Sequence, residues 1–209
     1  MISVDTSLDL GATAGTSLTV SYTNNGNILF VGAFATGGNN ITGVTYNGVA
    51  LTQIPTASPV QVPSNLWISL WYLIAPATGA HDIVISASPS TTIGGDAVSY
   101  IATTPNIDVS GNATATAASS ISKSITTTKN NAWTLGWCST DGFNVSAGAS
   151  TTLRIGNSGN RAIFDSNGGI TPAGSTTLNV SQAGSGNSAF IMTSFYDVAP
   201  SVSGSFAFL

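Results

Sequence analysis

The sequence predicts an all-β fold, an antiparallel β-sandwich of about 11 to 13 strands, and three observations carry that expectation. Only 6% of the 209 residues are Asp, Glu, Lys or Arg and glutamate is absent, against about 25% charged residues in an average globular protein. Lys and Glu furnish exposed helix faces, so their scarcity leaves little material for helices, whereas Thr, Val, Ile and aromatics suit strands. Apolar and β-branched runs recur every ten to fifteen residues between Gly, Asn, Pro and Ser clusters, and no segment has a 3.6-residue period.

In chain order the expected strands are 16–23 (TSLTVSYT), 27–35 (NILFVGAFA), 41–46 (ITGVTY), 49–54 (VALTQI) and 65–75 (NLWISLWYLIA), then 80–87, 96–104, 113–127, 131–139, 150–155, 160–165, 175–182 and 187–198. Asn47-Gly48, between GVTY and VALTQI, predicts a two-residue hairpin, because a type I′ turn needs positive φ at both central positions. In AWTLGWCS, Trp133, Leu135 and Trp137 alternate with Thr134, Gly136 and Cys138. The bulky face is expected in the core and Cys138 on the opposite, thinner face. No internal repeat of convincing register emerges. Residues 1–198 are expected to form one sandwich domain. The tail 199–209, ending in the apolar SFAFL, is expected to fold back as an edge strand, dock on a neighbouring subunit or fray.

Charge narrows the partners. The net charge is -4, and Lys123, Lys129, Arg154 and Arg161 are the only cations, too few for a basic stripe. Nucleic acid and anionic membrane surfaces are therefore not expected partners. The longest apolar run, LWISLWYLIA, is about half of the roughly 20 residues a spanning helix needs. Cys138 stands alone, so no intrachain disulfide is expected. The start MISVDTSLDLG has neither a basic nor an apolar leader region, so no secretory signal is expected. A hydroxyl-rich surface on a chain that starts like a cytosolic product fits a virion component, assembled in the cell and exposed after lysis, and equally fits a cleaved precursor or a chain whose Met1 is added.

The chemistry-bearing residues do not assemble into a reactive pattern. His81 is the one histidine, with Asp82 beside it. Neighbours on a strand point to opposite faces, so the two cannot act as a base and its orienter, and a strand-start residue at a corner is the expected role. A Ser-His-Asp triad has only His81 to draw on, and zinc lacks a second histidine. Asp141, Asp165 and Asp197 are the loop or strand-end carboxylates that a glycosidase-like pair would use. TDGFN (140–144) and FDSNGG (164–169) offer oxygen ligands for calcium but read first as Asp-Gly and Asn-Gly turns. GNSGNRAIFDSNGG lacks the lysine and helix of a phosphate loop. Trp67, Trp71, Trp133 and Trp137 lie mid-strand and are expected mainly in the core; Tyr46, Tyr72 or Tyr100 would rim a groove if one existed. The Asn-x-Ser/Thr sequons at Asn40, Asn112, Asn144 and Asn179 are what this composition produces by chance. No catalytic, cofactor-binding or metal-ligating residue is nominated.

VTYNGVALTQI, then LWISLWYLIAPATGAHDIVIS, GGDAVSYIAT and the late SAFIMTSFYDVAP, resemble a jelly-roll-like β-sandwich module of phage virion proteins and bacterial surface proteins. The resemblance spans about residues 3–198 and transfers no functional residue. It implies a jelly-roll-like sandwich and a non-enzymatic structural protein of a bacteriophage virion. Capsid decoration and a tail-fibre appendage are the two forms, acting through homo-oligomeric self-assembly and docking on other virion proteins. The alternatives are a carbohydrate-binding adhesin on a virion or cell surface, a subunit of an extracellular bacterial filament, and a polysaccharide-acting enzyme.

Overall fold

A computed structural model describes residues 1–156 and 159–198. The 199–209 tail of the sequence reading lies outside them. The described residues form fourteen strands, without helix, in two antiparallel sheets. The first sheet holds β1 (Ser3–Asn24), β2 (Ile28–Thr36), β3 (Ile41–Tyr46), β4 (Val49–Ala50), β5 (Thr52–Gln53), β6 (Val60–Val62), β7 (Leu66–Ile74) and β8 (Gly79–Ile101). The second holds β9 (Pro105–Thr126), β10 (Trp133–Thr140), β11 (Val145–Ala147), β12 (Thr152–Ile155), β13 (Arg161–Asp165) and β14 (Ser175–Asp197). The all-β antiparallel sandwich expected from composition and spacing is what the chain forms.

Each sheet folds over on itself. Strand β8 carries Ile83 and Ile85 in its first arm and Ile93 and Ala97 in its second, yet all four share one apolar cluster with Leu29 and Val31 of β2. The outer arms of β1 and β8, with β3, therefore lie across the inner arms, with a core between. Tyr22 spans that gap: on the outer arm of β1, its hydroxyl donates to Thr6 O and contacts Ser99 Oγ on the inner arms, 2.9 Å each. The second sheet repeats the arrangement around Ile121, Ile125, Leu178, Phe190 and Met192. A third cluster, including Phe30, Tyr100, Leu135, Trp137 and Phe195, lies between the two inner layers. Both faces of β2 and β10 are thus buried, and Cys138 is fully buried in the second half's own core rather than on a thin outer face.

The halves copy one another in detail. Ser3 faces Ile101 and Ser17 faces Ser86 in the first; Asn106 faces Tyr196 and Ser120 faces Ser181 in the second. At the fold-over, Gly15 faces Thr91 and Ala118 faces Gly186, so the same bulge of extra residues, 87–90 or 182–185, turns each long ribbon. Asp5 Oδ2 accepts Asn25 N (2.8 Å) and Ser99 Oγ (2.7 Å); Asp108 Oδ2 accepts Thr128 N (2.8 Å) and Ser194 Oγ (3.2 Å). The contacts between halves are reciprocal too, since β6 and β7 touch β14 while β12 and β13 touch β8. That is the pattern of a twofold-related pair of like subunits, here joined in one chain.

Two sequence expectations change accordingly. No repeat was expected, but residues 3–101 and 106–196 follow one register scheme. The runs 80–87 and 96–104 belong to one strand, β8, as 175–182 and 187–198 belong to β14. Pro89 sits in the bulge, where no ladder bond is lost, and a side chain on Gly95 would come within 2.1 Å of Gly32 O, so glycine is required for two strands to pass. The Asn47-Gly48 hairpin forms as expected, with φ of 50° and 74°.

Candidate functional site

The polar chemistry of the molecule collects along the seam between halves. Arg161 on β13 is buried, with its side chain 6% exposed; its Nη2 donates to Asp9 Oδ1 at 2.6 Å and to Gly11 O at 3.3 Å on β1. Its Nε lies 3.5 Å from Asp96 Oδ2 on β8, too long for a hydrogen bond. Asp96 and Asp9 stand opposite each other in the β1–β8 register. Burial, and secondarily the Asp9 carboxylate, outweigh Arg161 and push the Asp96 carboxyl up to about 8. At neutral pH Asp96 therefore keeps its proton, and neither of its carboxyl oxygens has a hydrogen-bond partner among the described residues.

A second cluster joins the halves elsewhere. Asp165 Oδ2 accepts Arg154 Nε at 2.6 Å and the Tyr100 hydroxyl at 2.8 Å, while its Oδ1 accepts Asn167 N. Burial, then the Asp165 charge, pushes the Tyr100 hydroxyl well above its ordinary value. The second cluster is satisfied by the protein itself, which is the arrangement of a structural ion pair, whereas Arg161 Nε and both Asp96 oxygens in the first lack hydrogen-bond partners.

The other residues weighed from sequence are dispersed. His81 Nε2 lies 3.1 Å from Thr78 O and its ring packs edge-on to Tyr46, while Asp82 is exposed on the next register position. Asp141 is bonded to Asn187, Asp165 to Arg154 and Tyr100, and Asp197 to the chain's first amino group and to Thr103 and Thr104 N. The three carboxylates thus serve three different anchoring points. Among the described residues no group of three or more His, Cys, Asp or Glu is placed to hold a metal. Tyr22, Tyr46 and Tyr100 are buried, so of the groove-rim candidates only Tyr72 is part-exposed.

Two openings lie at the seam. One, about 630 Å³, is lined by Trp133, Asn131 and Asp197 near the first residues. The other, about 460 Å³, lies between β2 and β10 and is lined from the first half by Phe34, Thr36, Ser64 and Leu66, and from the second by Ser139 to Asp141, Asn160 and Arg161. Sequence reasoning missed Arg161, Asn160 and Ser64, which meet only because the halves pack. A self-comparison shifted by 103 residues, aligning Val4-Asp5-Thr6-Ser7 with Ile107-Asp108-Val109-Ser110, was the available signal.

No protein-family model matches the chain, and no curated protein does. Among solved structures, the major capsid protein P2 from bacteriophage PM2 overlaps at a TM-score of 0.31 with 8% identity, over 93% of this chain and 97% of that one. The structure of Sulfolobus turreted icosahedral virus overlaps at 0.28 with 11% identity, over 93% and 90%. Both overlaps are loose and at the level of fold alone. No helix among the described residues is long and apolar enough to cross a membrane.

Proposed function

We propose that the chain is a non-enzymatic structural protein of a bacteriophage virion, a capsid-decorating or fibre and tail component that works by assembling with copies of itself and docking on other virion proteins. The observation that carries the reading is a pair of 22-residue strands, β1 and β9, each pairing on one side only among the described residues, with β8 and β14 respectively. Long open edges invite strand addition unless guarded. Strand β1 has no Lys, Arg or Pro, and β9 has only Pro105 at its first position and Lys123, whose stem lies over Gly111.

The sparse charge points the same way. Both arginines, together with Asp9, Asp96 and Asp165, are used inside the molecule, and Asp5 and Asp108 are spent on backbone and serine partners. What faces outward is mainly Ser, Thr and Asn with scattered apolar residues such as Val49 and Ile74, a surface that loses little ion solvation when copies pack together. Sedimentation of the purified chain across a concentration series, with electron micrographs of the same samples and of the native particle, tests this. Ordered oligomers or a fixed place in a virion are expected. A strict monomer at every concentration, absent from any particle, would refute the proposal.

A further inference from the structure

The 460 Å³ pocket between β2 and β10 is where the two halves stop being copies. By register Phe34 corresponds to Ser139 and Thr36 to Asp141, since Phe34 faces Gly94 on β8 as Ser139 faces Ala189 on β14. All four line this opening, so it straddles the axis relating the halves. Arg161 likewise stands where the first half has Ile68, each facing its half's Phe34 or Ser139. Substitutions away from the repeat thus bring both signs of charge to one wall and apolar side chains to the other.

The pocket holds polar groups with capacity to spare. Arg161 is buried, commits Nη2 to Asp9 and Gly11, and leaves Nε without a hydrogen bond, so Nη1 is the donor left for a ligand. The Asn160 carbonyl is taken by Thr140 N and Ser139 Oγ, but its side-chain amide makes no hydrogen bond among the described residues, nor does the Ser64 hydroxyl. Asp141 accepts one bond on each carboxylate oxygen and can take more. Phe34 and Leu66 form the apolar floor.

The geometry points to a binding site for an uncharged saccharide, in which Arg161, Asn160, Ser64 and Asp141 meet ring hydroxyls and Phe34 and Leu66 meet an apolar sugar face. Volume and lining suit a small ligand. Charge decides its class. Asp9 already balances Arg161, and Asp141 leaves the pocket negative, so a carboxylated or phosphorylated ligand would be repelled. The site is independent of self-assembly, and would let an assembled particle hold a glycan surface at many points, multiplying weak single-site binding.

The test is a glycan array carrying neutral and acidic glycans, followed by NMR titration of the neutral hits against the parent chain, Asn160→Ala and Ser64→Tyr. Thermal melts confirm that both surface variants stay folded. Neutral glycans should bind the parent. Asn160→Ala should weaken binding about fivefold, as expected for a lost amide hydrogen bond, and Ser64→Tyr, which fills the opening, should abolish it. Undiminished binding by Ser64→Tyr, preference for acidic glycans, or retention of no glycan would each overturn the assignment. Particle formation is read separately, so none of these outcomes bears on assembly.

Discussion

Replacing Asp96 by Asn should change how stability depends on pH more than how the chain folds. In the native state the Asp96 carboxyl is raised from an ordinary 3.8 to about 8. Below about pH 4 it is protonated whether folded or not, and its contribution is fully present. Between 4 and 8 the unfolded chain has released the proton while the folded chain retains it, so the folded state binds more protons and stability falls as pH rises. Above about 8 the loss is complete. Each pH unit in the window removes about 1.4 kcal/mol, and the whole displacement is on the order of 5 kcal/mol. An asparagine keeps the shape but has no proton to lose. Urea unfolding at intervals from pH 4 to 9 should therefore show a falling midpoint for the parent and a flatter profile for Asp96→Asn, with the variant several kcal/mol more stable at pH 9. Parallel profiles, or a parent that gains stability on going from pH 5 to 8, would refute the idea of a protonated carboxyl buried opposite Asp9 at the seam.

Two further outcomes follow from the packing. A β-carbon on Gly32 would lie 2.3 Å from the Trp137 ring, so Gly32→Ala should cost about 1–3 kcal/mol by overpacking, and Trp137→Leu should recover part of that loss when combined with it; strict additivity in thermal melts would contradict the contact. Asp5→Ala and Asp108→Ala each strip acceptors from a backbone N–H and a serine hydroxyl, and each should lower stability by about 1–3 kcal/mol in denaturant titrations, with Asp108→Ala at the larger end because Asp108 also accepts the Thr128 hydroxyl.

The strand content and the first hairpin were readable because they depend on local signals, the alternation of Trp133, Leu135 and Trp137 and the positive φ that Asn47-Gly48 supplies. What escaped was long-range. The first strand was expected only at 16–23 and a break between 80–87 and 96–104, whereas β1 starts at Ser3 and bends at Gly11, φ 72°, and β8 continues through both runs. Burial on both faces of β10 hid Cys138, because alternation distinguishes two faces without saying that one is exposed. The pocket was invisible for a related reason. Ser64 and Asn160 are 96 residues apart, and nothing near either in sequence announces the other.

The contact between Gly32 and Trp137 shows what joining the halves makes available. These residues occupy matching register positions, Gly32 facing Asp96 and Trp137 facing Ile191, and they meet where the two inner layers cross. Two separate identical subunits would place the same residue there twice, and paired indoles would collide while paired glycines would leave a void. A covalent tether removes that demand for self-compatibility and keeps the partner at high effective concentration. Each half is thereby released to specialise, one supplying the knob and the other the hole, at a place where a symmetric dimer could not.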